Sequence, residues 1–205
     1  MKTLLTIFLF IFITGNSAYA GLFGSKETRF ESFDLFPKWA SVLSRHESDK
    51  RLQAIFCVSP VKPACVFGKW HNILDSIKGK SVMEQLDTVN REMNKYPYIT
   101  DLVNWQVPDY WETPREFFIK SGDCEDYAIA KYESLLYLGF SNEDLRIVVL
   151  QDLNLQVAHS VLVVYVKGKA YILDNQTEQV VPDYKIKHYL PIYSINEKHW
   201  WRHRV

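Results

Sequence analysis

The sequence has no excess of charge of either sign: 24 lysines and arginines stand against 24 aspartates and glutamates in 205 residues. Nucleic-acid affinity rests on basic side chains neutralising phosphates, so that class of function is excluded. There is also no apolar run long enough to cross a bilayer, which takes about 20 residues. The longest, Leu4 to Ile13, is short and is interrupted by Thr6. No internal repeat or low-complexity segment occurs. Cysteine is scarce, at three residues, and the odd count leaves at least one thiol without a partner in the chain.

What is present suits one domain with its own core. Apolar residues make up 47% and aromatic residues 15%, which excludes extended disorder at this length. Lys2, the short apolar run and Ala18-Tyr19-Ala20 form a positive start, a hydrophobic stretch and a small-residue cleavage site. That pattern predicts a signal peptide over residues 1–20, with export and a mature chain starting at Gly21. The exported compartment permits a disulfide between Cys57 and Cys65 across a loop with two prolines, worth about 2 to 3 kcal/mol by chain entropy. Cys124 is left as a single thiol, either inert or kept for its chemistry.

Periodicity divides residues 21–205 in two. Apolar residues recur at helical spacing over Phe36 to Arg45, Val66 to Ile77 and Ser81 to Met93, and Ser81 with Glu84 forms a capping box. This gives a helical lobe over 21–95. Pro97, Pro108 and Pro114 break an aromatic connector, Tyr96 to Trp111, whose Trp105, Tyr110 and Trp111 either form a recognition surface or pack beneath the next helix. Strands are expected at Leu145 to Leu150, Ala158 to Val166 and Ala170 to Leu173, the last two joined by a Lys167-Gly168 turn. Helices followed by strands predict an α+β fold, with N-terminal helices packed on an antiparallel sheet.

Between the halves, Asp123 is an N-cap for a helix that Gly139 ends, with Asp126 three residues into it. Cys124 then lies in the first helical turn, where free amides and the positive dipole end favour a thiolate and can stabilise an oxyanion. The expected hairpin register sets His159 opposite Gln176, with Asp174 two positions away on the same face, within diagonal reach. Nucleophile, base and orienter are thus available for thiol acyl transfer. The acids Asp123, Glu125 and Asp126 crowd the thiol and would raise its pKa. As oxygen-only ligands they suit Ca²⁺, although acids at a helix start also favour the dipole with no metal.

The segments 109–114 (Asp-Tyr-Trp-Glu-Thr-Pro), 122–132 (Gly-Asp-Cys-Glu-Asp-Tyr-Ala-Ile-Ala-Lys-Tyr), 145–148, 158–162 (Ala-His-Ser-Val-Leu), 173–175 and 191–196, taken together, resemble the bacterial transglutaminase-like cysteine proteinases of the LapG type. The resemblance spans about residues 70 to 201. It implies a papain/transglutaminase-like core with a triad at Cys124, His159 and Asp174, and calcium-binding acids at Asp123 and Glu125, with Asp126 a weaker match. It further implies a periplasmic protease that cleaves the N-terminal region of a large RTX-type adhesin, typically at a dialanine. Such a protease controls biofilm release and is held by a LapD-type inner-membrane receptor that senses cyclic di-GMP. Two other classes share the scaffold: a thiol acyltransferase, acting as transglutaminase or glutamine deamidase, and a non-catalytic periplasmic binding module. The Cys57 to Cys65 loop and the aromatic, basic C-terminus lie outside the matching motifs.

Overall fold

A computed structural model describes residues 21–56 and 66–205. The expected signal peptide and the expected Cys57 to Cys65 bridge lie outside the described residues. In chain order the elements are β1 (Lys26–Phe30), α1 (Pro37–Phe56), α2 (Val66–Ile77), α3 (Val82–Met93), α4 (Asp101–Asn104), α5 (Pro114–Lys120), α6 (Cys124–Tyr137), β2 (Leu145–Asp152), β3 (Val157–Val166), β4 (Lys169–Leu173), β5 (Val181–Pro182), β6 (Tyr189–Ile195) and β7 (Trp200–Arg204). The architecture is α+β, as the periodicity predicts. Seven strands form one sheet in the order β1-β7-β6-β2-β3-β4-β5, with every pair antiparallel.

The helix α3 starts where its capping box says it should. Ser81 Oγ accepts from the Glu84 amide while the Glu84 carboxylate accepts from the Ser81 amide. Its stripe of Leu86, Val89 and Met93 is buried with Trp70, Leu74 and Ile77 of α2. The helix α1 continues well past the expected Arg45, to Phe56. At the centre lies α6, where Tyr127 to Leu135 are all buried. A helix enclosed on every side needs polar partners for its polar groups, and Ser134 Oγ accepts from Trp70 Nε1 at 2.9 Å while donating to the Ala130 carbonyl.

Sheet and helix meet through alternation along β3. Leu162 and Val164 pack in the cluster that contains α6, whereas Val161 and Val163 pack on the opposite face with Val148, Leu150, Ile172 and Tyr189. Val166 pairs with Lys169 and Leu162 with Leu173, which is the expected hairpin register. The C-terminal aromatic and basic segment is β7, and it carries β1 as its outer neighbour. Sequence order hides that pairing, because β1 precedes every helix.

Candidate active site

The start of α6 is fixed by backbone contacts before any chemistry is considered. Asp123 occupies the N-cap position, and Asp126 reaches back so that its Oδ2 accepts the Asp123 amide at 3.0 Å and its Oδ1 accepts the Glu112 amide at 2.8 Å. Asp126 is fully buried and ties the connector to the helix. Gly122 is required here: a Cβ on it would stand 2.2 Å from Asp126 Oδ2. Its carbonyl accepts the Ile99 amide at 2.9 Å, which joins the segment after α3 to the same corner.

Cys124 is the first residue of α6, and its thiol donates to Glu125 Oε2 at 3.2 Å. Burial pushes the thiol pKa up strongly, and the carboxylates of Glu125 and Asp123 push it further, while a hydrogen bond from Ser160 acts in the opposite direction. The helix dipole alone therefore does not make this thiol a thiolate. The Ser160 contact sets Cys124 against β3, one residue after His159 in the chain.

His159 and Asp174 are both buried, at the start of β3 and just past the end of β4. The hairpin register brings them together: His159 Nε2 lies 2.9 Å from Asp174 Oδ1. Asp174 Oδ1 also accepts the Gln176 amide at 2.9 Å, and Oδ2 accepts the Tyr189 hydroxyl at 2.5 Å. Burial alone would raise the Asp174 pKa, but His159 and these donors hold it below the usual carboxylate value. An ionised carboxylate on Nε2 makes that nitrogen the proton-bearing one and leaves Nδ1 with the lone pair.

The acids around Cys124 are more numerous than the sequence suggests. Ligand atoms of Asp123, Cys124 and Glu125 lie within 4.8 Å of one another, as do those of Asp101, Asp109 and Glu125, and those of Asp101, Asp123 and Asp126. Asp101 and Asp109 come from the aromatic connector, where nothing in the sequence marks either as a ligand, although Asp109 opens the 109–114 segment. Asp101 is buried, with Oδ2 accepting the Tyr110 amide at 2.5 Å and Oδ1 without a partner among the described residues. Asp123 Oδ1 is likewise buried and unpartnered. Burial, then neighbouring carboxylates, push Asp123 up to about 8; burial also pushes Asp101 up to about 6, with Asp123 and Asp109 adding to the effect. Two orphaned carboxylate oxygens in a set of oxygen donors fit a hard cation of the calcium type. Asp123, Glu125, Asp101 and Asp109 have oxygens to offer it, and Asp126, each of whose oxygens accepts one amide, lies in the same group as Asp101 and Asp123.

The connector aromatics mostly face inward. Trp111 is buried; Trp105 Nε1 donates to Glu112 Oε1 at 2.6 Å; and Tyr110 donates to Glu116 Oε1 at 3.0 Å beneath the Arg45 guanidinium. They brace the acid-bearing loop.

A thiol at a helix start, beside the strand that carries an imidazole bonded to a buried carboxylate, is the make-up of a thiol acyl-transfer site on an α+β scaffold. Comparison with known proteins makes the class specific. The profile of the bacterial transglutaminase-like cysteine proteinases matches residues 54–203, and the chain belongs to that family. Among solved structures it is similar to Legionella pneumophila LapG, with 33% identity and a TM-score of 0.63 over 77% of this chain and 87% of that one. The calcium-bound form of the same Legionella protein gives 33% identity and a TM-score of 0.64 over 77% and 87%. The EGTA-treated form gives 32% and 0.64 over 78% and 86%. No curated protein sequence matches significantly.

Proposed function

We propose that this chain is an exported, calcium-dependent cysteine endopeptidase of the LapG type, with Cys124 as nucleophile, His159 as base and Asp174 as orienter. The observation that carries the reading is the buried His159–Asp174 pair at the mouth of the hairpin, one residue from the Ser160 contact to the Cys124 thiol. His159 Nδ1 takes the thiol proton as Sγ attacks the scissile carbonyl. The developing oxyanion is met by amides at the start of α6. The imidazolium, balanced by Asp174, returns the proton to the leaving amine, and a water deprotonated at Nδ1 hydrolyses the thioester.

A bound Ca²⁺ would neutralise the Asp101, Asp109, Asp123 and Glu125 cluster and so relieve the charge that disfavours thiolate. The calcium-bound and EGTA-treated forms of the Legionella relative support that choice of ion. The substrate that the family resemblance favours is the N-terminal region of a large RTX-type adhesin, cut in the periplasm, with control by a LapD-type receptor that responds to cyclic di-GMP.

The test uses the mature protein and an adhesin N-terminal fragment. Cleavage is expected with Ca²⁺, is lost in EGTA, returns with Ca²⁺ but not Mg²⁺, and is absent in Cys124→Ala and His159→Ala variants that melt normally. Mg²⁺ fails because it demands tighter octahedral geometry and holds its waters. Full activity under strict chelation would remove calcium from the account, and transfer of a labelled amine to glutamine in place of cleavage would remove the protease assignment.

A further inference from the structure

The Asp174 carboxylate has a partner that no motif marks. Tyr189 opens β6, where it pairs with Asp152 of β2, so β2 and β3 lie between its strand and β4 in the sheet order. Its phenol nevertheless reaches the carboxylate beyond β4: the hydroxyl lies 2.5 Å from Asp174 Oδ2, and the residue is only 7% exposed. On the way, the ring stands edge-on to the His159 imidazole, with centroids 5.8 Å apart and planes at 63°. Its neighbour His188 is edge-on to the same ring at 4.6 Å.

We propose that Tyr189 is the positioning residue of the site, holding Asp174 and His159 in the one geometry that leaves Nδ1 as the base. This inference rests on the protease reading above and names how its imidazole is oriented. Asp174 follows the last paired residue of β4, and its carbonyl is held by Asn94 Nδ2 at 2.8 Å instead of a ladder partner, so the setting of its carboxylate depends on the side chain's own hydrogen bonds. Oδ1 is shared between His159 and the Gln176 amide; among the described residues, only the Tyr189 hydroxyl engages Oδ2. Without that hydroxyl, rotation about the Cβ–Cγ bond is opposed by the two hydrogen bonds on Oδ1 instead of by three on the carboxylate, and the acceptor of Nε2–H is held less tightly. The edge contact also blocks the imidazole from tipping toward β6. Phenol, carboxylate and imidazole therefore form a closed set, each member touching the other two. Burial keeps the phenol protonated as a donor, with the Asp174 charge adding to that effect.

The experiment compares the wild-type chain with Tyr189→Phe, which keeps the ring and removes the hydroxyl. In long-range ¹H–¹⁵N spectra, assigned with His159→Gln, the wild-type His159 imidazole is expected to be the Nε2–H tautomer, and Tyr189→Phe is expected to show a mixture. Loss of a hydrogen bond to a charged group should lower kcat/KM roughly 10- to 100-fold, through kcat, with KM nearly unchanged. Tyr189→Ala, which also frees the ring, should lose more. An unchanged tautomer spectrum in Tyr189→Phe overturns the proposal, as does a fall in melting temperature with unchanged kcat. If the tautomer shifts but the wild type cleaves no peptide, positioning stands and the protease reading fails.

Discussion

Lys131 is a cationic side chain whose placement is costly. It lies inside α6 with no exposure, its Nζ has no hydrogen-bond partner among the described residues, and burial lowers its pKa to about 7 while the Asp174 charge pulls the other way. An unfolded lysine keeps its proton up to about pH 10.4. Between pH 7 and 10 the unfolded chain therefore binds more protons than the folded one, and stability from this group rises with pH. The slope is at most about 1.4 kcal/mol per pH unit. Asp123 and Cys124, whose pKa values are raised, tilt the profile the other way, so the measure is the difference between two proteins: in urea unfolding at pH 7, 8 and 9 the wild type should gain on Lys131→Met, which should be more stable by roughly 2 to 4 kcal/mol at pH 7. Equal slopes in the two proteins would contradict the assignment. The same side chain shows how little a residue list reveals: within 122–132 it reads as one more polar position of an amphipathic helix.

Among the elements, those with local causes were legible. The residues of α2 and α3 carry a helical stripe, a capping box starts α3, and the turn at Lys167-Gly168 fixes the register that joins His159 to Asp174. Elements whose partners are remote were not. The strands β6 and β7 have no helix-to-strand change of period before them, and β1 is a mostly exposed five-residue segment that is a strand only because β7 lies beside it. The connector was the largest gap, because its two acids reach the site through a fold made by Glu112, Trp105 and Arg45. That gap yields a prediction. Asp101→Asn keeps an oxygen for the Tyr110 amide and removes the charge, so Ca²⁺ affinity measured by calorimetry should fall at least roughly 10-fold with little change in melting temperature. Unchanged affinity would exclude Asp101 from the cation site and leave the ligands to the start of α6.

The whole molecule is closed by contacts between its extremes. Arg146 of β2 pairs with Glu27 of β1 at 2.7 Å and stacks against Trp201 of β7 at 3.8 Å, while Trp200 Nε1 donates to the Ser32 carbonyl at 2.9 Å. These contacts pin the N-terminal segment to β7, the strand just outside β6, from which Tyr189 projects. No described helix is long and apolar enough to cross a membrane. A rigid sheet on one side and a braced acidic loop on the other hold Cys124 at a helix start that is electrostatically unfavourable to a thiolate until charge is neutralised nearby. The central claim is that this thiol is the nucleophile. It is tested most directly by mixing the calcium-loaded protein with a short activated peptide ester, quenching in acid within milliseconds, and locating the acyl group by peptide mass spectrometry. The account predicts one acyl group on the peptide containing Cys124, formed in the wild type, slowed in His159→Ala and absent in Cys124→Ser; an acyl group on any other residue, or turnover that persists in Cys124→Ala, would contradict it.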